Sequence, residues 1–138
     1  MLIRLQQDPI DTQEVIDSLK REIHGAVIVF IGTVRLYTEE RKVRYLDYEA
    51  YPEMAEVKLR EVAQEVVDKH QIEDISMVHR YGRLYVGEAS LVVAVASLHR
   101  REGYDASLHT VERIKEVVPI WKKEVWDAGE VWVRSEGA

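Results

Sequence analysis

The apolar residues of the chain recur with two spacings, and the changes between them outline the secondary structure. Continuous or alternating apolar runs rich in β-branched residues are typical of strands. They predict strands at 2–5, 26–31, 43–51, 75–79, 84–86, 89–97 and 131–133. Apolar residues three and four positions apart are typical of helices with one buried face. This spacing predicts helices at 12–21, 52–70 and 101–118.

Local signals mark where several of these elements begin or end. Asp11, followed by a glutamate three residues later, is a helix cap, and Pro52 suits a first helical turn. Pro119 stops or kinks the last helix, because proline lacks the amide hydrogen that a helix interior uses. The run 26–31 has no polar position, so we expect that strand to be buried on both faces. The polar segment 37–42 is expected to be a loop.

The order of these elements indicates the fold class. The series β-α-β-β-α-β-β-β-α-β indicates an α+β fold with helices packed on a mostly antiparallel sheet. No repeat and no linker rich in proline, glycine or serine interrupts the 138 residues, so we expect residues 1–138 to form one domain. No apolar run is long enough for a membrane span, and the first seven residues lack the features of an export signal. We therefore expect a cytoplasmic protein.

Composition and charge narrow the chemistry. The chain has no cysteine, which excludes disulfides, thiolate ligands for zinc and a cysteine nucleophile; any sulfur chemistry must use sulfur that another molecule brings. A net charge of -6 argues against a nucleic-acid surface, which normally shows a basic excess. Basic residues nevertheless cluster in one stretch, as expected for a small anionic ligand. They are Arg100, Arg101, Arg113, Lys115, Lys122 and Lys123.

Two basic sites precede and follow the last predicted helix. His99 and Arg100 stand between a strand and that helix, where an anion could bind with help from the helix amino terminus. Ordinary solvated surface residues are the alternative. Lys115 lies near the end of that helix, and Lys122, Lys123 and Glu124 follow the apolar segment around Pro119, where apolar surroundings can lower a lysine pKa toward a useful acid–base range. Solvated positions for Lys115 and Lys123 near a helix end are the alternative.

Two further candidates remain open from the residues alone. Arg35 follows a buried strand and offers a planar fork for a phosphate, but an ion pair with Glu39 or Glu40 would explain it equally. His79–Arg80 repeats the pair His99–Arg100 at another strand end, and spacing does not choose between them. The chain has no phosphate-binding glycine loop, no serine nucleophile motif and no His-Glu-x-x-His cluster, so we expect neither a bound metal nor nucleotide hydrolysis.

Six segments, in order and spanning nearly the whole chain, resemble the large subunit of molybdopterin synthase. The most specific is Pro-Ile-Trp-Lys-Lys-Glu, with a His-Arg pair roughly twenty residues before it. The segments are Phe-Ile-Gly-Thr-Val-Arg at 30–35, Leu-Asp-Tyr-Glu-Ala-Tyr-Pro-Glu-Met-Ala at 46–55, Val-His-Arg-Tyr-Gly at 78–82, Val-Gly-Glu-Ala-Ser at 86–90, Ala-Ser-Leu-His-Arg at 96–100 and Val-Pro-Ile-Trp-Lys-Lys-Glu at 118–124.

This resemblance implies an α/β hammerhead-type fold with a small additional β subdomain. It implies a homodimer of this subunit within a heterotetramer, with a small ubiquitin-like sulfur-carrier subunit at each end. The carrier's Gly-Gly tail, ending in a thiocarboxylate, would enter a pocket of this chain and donate sulfur to cyclic pyranopterin monophosphate. Two such sulfur additions would give the dithiolene of molybdopterin. The resemblance implies that the chain holds no cofactor of its own. The alternative is a non-catalytic dimeric module that binds a small anion or a partner's carboxy-terminal tail.

The resemblance also assigns residues. It implies that Lys115 and Lys122 are catalytic and that His79–Arg80 is structural. The substrate-binding residues that it implies are Thr33, Val34, Arg35, His99, Arg100, Lys123 and Glu124. The family often has a longer basic tail that reaches the neighbouring subunit, and Arg134 is the candidate for that part in this chain.

Overall fold

Two sheets and three helices make up the described chain. The structure is a computed structural model, and it describes residues 1–20 and 22–134. Its elements are β1 (Ile3–Gln6), α1 (Thr12–Asp17), β2 (Ala26–Thr33), β3 (Tyr37–Thr38), β4 (Arg41–Ala50), α2 (Pro52–Lys69), β5 (Ile72–Arg80), β6 (Gly82–Tyr85), β7 (Ala89–Ser97), α3 (Arg100–Val117), β8 (Ile120–Trp126) and β9 (Gly129–Arg134). None of the helices in these two ranges is long and apolar enough to cross a membrane.

The first sheet holds the main core. Its strand order is β1-β5-β7-β2, with β1 parallel to β5 and the other neighbours antiparallel. Helices α2 and α3 cover one face, and α1 covers part of the other. The central strands β5 and β7 are buried almost throughout, because α2 and α3 pack on one face of the sheet and α1 packs on the other. The predicted α+β class, with helices on a mostly antiparallel sheet, is confirmed.

The prediction for residues 26–31 was wrong in one respect. Strand β2 forms there, but Val27 and Ile31 are 37% and 46% exposed. Strand β2 lies at the edge of its sheet, and α1 contacts β7 and β5 rather than the outer face of β2. A continuous apolar run therefore does not show by itself that both faces are covered.

The second sheet is the smaller β subdomain, and it contains two strands that the sequence analysis missed: β8, and the short β3 within the segment 37–42 that was expected to be a loop. Its order is β3-β4-β8-β9, with β6 on the free side of β4. Helix α3 ends at Val117, and Val118 is extended, as expected for a residue before proline. The chain then continues as β8 instead of an irregular segment, and it pairs antiparallel with β4.

Strand geometry in β8 decides which of its polar side chains lie together. Successive residues of a strand point to opposite faces, so Lys122 and Glu124 share one face and Lys123 points to the other. Lys122 lies opposite Tyr48 and Glu124 lies opposite Leu46 on β4, and all four side chains are buried. The inner face of the second sheet therefore carries polar groups within a largely apolar wall.

Candidate active site

A narrow cleft lies between the end of β2 and the inner face of the second sheet. It is narrow, with water-accessible space of about 10 Å³, which is room for one water molecule. Its lining mixes apolar and polar side chains, and its charged groups come from two separate segments of the chain. The lining residues are Thr33, Val34, Arg35, Thr38, Val43, Leu46, Tyr48, Lys122 and Glu124.

An irregularity at the end of β2 directs Thr33, Val34 and Arg35 into this cleft. The register between β2 and β7 shifts at Gly32 and Thr33, as in a β-bulge, and bulges re-aim the side chains that follow them. The backbone of Val34 is then fixed on both sides, donating to the Glu88 carbonyl (3.0 Å) and accepting from the Gly87 amide (2.9 Å). Among the described residues Arg35 forms no ion pair with Glu39 or Glu40, the alternative that the sequence left open.

Lys122 is the most deeply buried cation of the cleft, with 6% of its surface exposed. Burial lowers the pKa of its amine, because a charged ammonium loses its hydration there. Glu124 opposes this effect, while the positive charges of Arg35 and Lys115 lower the pKa further. The amine therefore loses its proton at a lower pH than an ordinary lysine.

Glu124 is the carboxylate of the cleft floor, and it is only 3% exposed. It accepts a hydrogen bond from the Thr38 hydroxyl, with 2.6 Å between the oxygens. Nη2 of Arg41 lies 4.0 Å from its other oxygen, and the guanidinium of Arg41 stacks 4.4 Å from the centre of the Trp126 ring. The β3–β4 hairpin is thus tied to β8 through this carboxylate.

Lys115 lies in the last turn of α3 and is partly buried. Its charge acts on Lys122, which places both amines on the same side of the molecule. The turn at Val118 and Pro119 produces this arrangement, because it ends the helix and returns the chain along β4. The two lysines that the resemblance implied to be catalytic therefore share one environment.

Lys123, which the resemblance implied to bind substrate, lies apart from the cleft of this chain. It points to the outer face of the second sheet, where its amine lies 3.5 Å from Glu130 and 5.3 Å from the centre of the Trp132 ring. The physical reason is the strand that the sequence analysis did not predict, since alternation separates neighbouring residues. In this chain the Lys123 amine therefore lies outside the cleft.

His99 and Arg100 also lie outside the cleft. They are exposed at the amino-terminal end of α3, where they border an open hollow with Arg101, Tyr104 and Asp105. Lys115 is fifteen residues further along the same helix. At 1.5 Å per residue, this separation is about 22 Å. One copy of the chain therefore does not bring the His-Arg pair to the two lysines.

His79 and Arg80 are buried, with exposures of 3% and 6%. Nδ1 of His79 donates to the Arg80 carbonyl (2.7 Å), and burial lowers the His79 pKa to about 4. The Arg80 guanidinium donates to the Gln7 carbonyl and to Glu88. Contacts of this kind stabilise the sheet and leave neither side chain open to a ligand.

Sequence reasoning missed four lining residues, namely Thr38, Val43, Leu46 and Tyr48. Three of them lie on β4, whose faces the alternation of 43–51 left unassigned because tyrosines occur on both. Pairing Leu46 and Tyr48 with a strand at β8 would have identified the inner face. The side chain of Arg134, the candidate for reaching a neighbouring subunit, lies outside the described part of the chain.

Comparison with known proteins decides the family. The family model described as MoaE protein matches residues 5–117, which is most of the chain. The chain is a member of the MoaE family. Two relatives named molybdopterin synthase catalytic subunit are 46% identical (Halalkalibacterium halodurans) and 41% identical (Bacillus subtilis) over 129 residues, covering 94% of this chain and 83% and 82% of theirs.

Solved MoaE-family structures have the same fold. The crystal structure of molybdopterin synthase from Staphylococcus aureus superimposes with a TM-score of 0.91 at 42% identity, covering 95% of this chain and 96% of that one. The MoaE protein of Burkholderia ambifaria gives 0.83 at 31% identity, covering 99% and 91%. These matches confirm the predicted hammerhead-type fold. They also place the chain in molybdenum cofactor biosynthesis, as the catalytic subunit of a molybdopterin synthase.

Proposed function

We propose that this MoaE-family chain catalyses sulfur transfer from a protein thiocarboxylate to cyclic pyranopterin monophosphate. The thiocarboxylate ends the Gly-Gly tail of a small ubiquitin-like carrier subunit. The observation that supports this most is the buried amine of Lys122 in a narrow cleft with Arg35 and Lys115 nearby. The excess of positive charge around this cleft suits an anionic sulfur donor and a phosphate.

The chemistry fits a chain without cysteine. The thiocarboxylate sulfur forms a bond to a carbon of the pterin side chain while the bond from that carbon to its oxygen breaks, and this oxygen leaves as water or remains on the phosphate. Water then cleaves the bond between that sulfur and the carrier's acyl carbon. The carrier leaves with an ordinary carboxylate, and a second carrier repeats the transfer to complete the dithiolene. No oxidant or reductant is needed for either transfer.

The residues of the cleft have distinct roles in this proposal. Lys122 and Lys115 assist the attack and stabilise or protonate the oxyanions that develop. Arg35 binds the phosphate through its planar fork, while Thr33 and Val34 form the wall beside it. The negative charge of Glu124 partly compensates the positive charge of Lys122, and its hydrogen bond with Thr38 anchors the β3–β4 hairpin.

A homodimer within a heterotetramer completes the proposal. His99 and Arg100 lie about 22 Å along α3 from Lys115. They therefore contact the pterin phosphate only if a second copy of the chain presents them. Each end of the dimer then binds one carrier subunit, and the two catalytic sites lie at the junction of the two copies.

Reconstitution from pure components tests the proposal. Thiocarboxylated carrier and the cyclic pterin should yield molybdopterin with the wild-type chain, detected after oxidation as a fluorescent pterin. We expect Lys115→Ala to abolish product formation, and Lys115→Arg to fail to restore it, since arginine does not release a proton at working pH. Lys69→Ala is the control, because Lys69 occupies the last turn of α2 as Lys115 does in α3.

The same experiment separates catalysis from binding alone. A non-catalytic module would bind the carrier tail, form no product, and tolerate Lys115→Arg without loss of affinity. Normal product formation by a folded Lys115→Ala variant would remove Lys115 from the mechanism.

A further inference from the structure

Tyr48 lies directly across from Lys122 in the second sheet. The two residues are cross-strand partners on β4 and β8, and their side chains point to the same face. Both are nearly inaccessible, with exposures of 7% and 6%. Directly opposite side chains of an antiparallel pair lie within contact distance, so the phenol ring forms one wall around the stem of the lysine.

Contacts with neighbouring residues fix the position of the Tyr48 ring. The His79 ring contacts it edge to face, with 5.6 Å between the ring centres and 70° between the planes. His79 cannot rotate freely, because its Nδ1 donates to the Arg80 carbonyl. The Ser90 hydroxyl contacts the phenol on another side and donates to the Gly32 carbonyl (3.2 Å). The ring is thus fixed by β5 and β7 together.

The charged groups around Lys122 come from every neighbouring element. Glu124 lies on the same strand, Arg35 follows β2, and Lys115 projects from α3. Arg41, on the hairpin side, reaches Glu124 at 4.0 Å. Burial nevertheless lowers the pKa of the Lys122 amine more than any of these charges changes it. The protonation state of the amine therefore depends chiefly on the side chains that exclude water from it.

We propose that Tyr48, braced by His79, is a positioning residue that excludes water from the Lys122 amine and holds it toward the cleft. The role acts through Lys122, and its importance for the reaction rests on the proposed function. It also gives the buried His79 a part in the site, although His79 does not touch the cleft. In this role Tyr48 need not contact the substrate.

Direct titration of Lys122 tests this proposal without any substrate. The full chain is labelled with lysine carrying carbon-13 at Cε, and the Lys122 signal is identified by its absence from Lys122→Arg. In Tyr48→Leu, which keeps an apolar residue but removes the ring, we expect the midpoint of the Lys122 titration to rise. Tyr48→Phe should leave it near the wild-type midpoint, because the ring remains. His79→Ala should raise it less than Tyr48→Leu does.

Tyr45→Leu is the matched control. Tyr45 lies on the same strand but on the opposite face, where its ring contacts Tyr85 and the Arg83 guanidinium. This variant should leave the Lys122 midpoint unchanged. The proposal is overturned if Tyr48→Leu titrates as the wild type does, or if Tyr45→Leu shifts the midpoint as far. If circular dichroism shows that Tyr48→Leu does not fold, His79→Ala takes its place. An unshifted Lys122 midpoint in His79→Ala would then overturn the proposal.

Product formation separates this proposal from the one on which it rests. We expect Tyr48→Leu to lower kcat on the order of tenfold with little change in KM, since a misplaced proton donor affects the transition state rather than binding. A shifted Lys122 midpoint with an unchanged kcat would support the positioning role while contradicting the acid–base role of Lys122.

Discussion

The cleft combines two buried groups of opposite charge with an excess of positive charge around them. Lys122 and Glu124 are exposed by only 6% and 3%, and burying ions is costly unless they are paired. Their mutual attraction and the Thr38 hydrogen bond offset part of that cost. Arg35 and Lys115 then leave the cleft net positive, which favours an incoming anion over water. The same residues therefore stabilise the cleft and, in the proposed function, attract the anionic thiocarboxylate.

His79 gives the fold a specific pH dependence. Its pKa is lowered from 6.5 to about 4 by burial, so the folded chain holds it neutral while the unfolded chain binds a proton below pH 6.5. Its contribution to stability is complete above pH 6.5 and is lost as the pH falls toward 4. Between these limits we expect a loss of about 1.4 kcal/mol per pH unit from this residue.

Urea unfolding at several pH values between 5 and 7 measures this effect. The wild type should lose stability with falling pH more steeply than His79→Leu, which has no proton to bind. Equal slopes for the wild type and His79→Leu would contradict the assignment of a neutral, buried imidazole.

Residue-level prediction succeeded where it rested on motifs and failed where it depended on side-chain direction. Arg35, Lys122 and Glu124 were expected in one site, and the structure brings them together. The residues alone left Arg35 with an ion pair, and Lys115 and Lys123 with solvated positions, as alternatives, because composition does not show which lysine of a pair points inward. Tyr48 was missed, and the position of Lys123 on the outer face was not foreseen, because the partner strand that defines the inner face was unknown.

Among the elements, helices and central strands were predictable and the strands of the smaller sheet were less so. Strand β7 matches its predicted limits, α2 differs by one residue at its end, and α3 differs by one residue at both ends. Helix α1 begins as predicted but ends at Asp17, four residues before its predicted limit. Strand β8 was missed because Lys-Lys-Glu interrupts the apolar alternation, and charged residues are depleted in strands. Pairing with β4 on one side and β9 on the other overrides this weak propensity. Such long-range pairing leaves no local signal.

The start of β2 depends on a close approach that only glycine allows. The Gly25 amide donates to the Ser97 carbonyl, and a Cβ at Gly25 would lie 2.6 Å from the Leu98 carbonyl oxygen. Because that oxygen belongs to the backbone, it cannot move aside cheaply. We expect Gly25→Ala to lower the free energy of unfolding by about 1–3 kcal/mol.

Thermal or urea unfolding of Gly25→Ala checks this prediction. Gly129→Ala is the control, since a Cβ there would meet the Trp126 ring at an ordinary contact distance of 3.4 Å. It should stay within about 0.5 kcal/mol of the wild type. A Gly25→Ala variant as stable as Gly129→Ala would show that the β2–β7 junction is looser than the structure describes.

At the scale of the whole molecule, the long helix α3 separates two basic regions that the sequence placed in one site. His99 and Arg100 begin the helix and Lys115 lies near its end. The length of the predicted helix sets this distance, but the sequence alone does not show which end of the helix lies beside β8. The proposed dimer resolves the separation by joining the start of one α3 to the cleft of the other copy.

Mixing two inactive variants tests this shared site. Lys115→Ala and Arg100→Ala damage different regions of one chain, so each homodimer should be inactive at both sites. When equal amounts are refolded together, half of the dimers are mixed, and each mixed dimer has one intact site. We expect recovery of about a quarter of the wild-type rate of molybdopterin formation. No recovery, with mixed dimers shown by mass spectrometry, would place both residues in the site of a single chain.

The central claim is that sulfur transfer occurs in the cleft on the inner face of β8. Lys122 and Lys123 are neighbours in sequence but lie on opposite faces of that strand. The most direct measurement is the rate of molybdopterin formation by Lys122→Ala and Lys123→Ala with thiocarboxylated carrier and cyclic pterin. The account predicts a loss on the order of a hundredfold or more for Lys122→Ala and near-normal rates for Lys123→Ala. Normal rates for Lys122→Ala, or an equal loss for both variants, would contradict it.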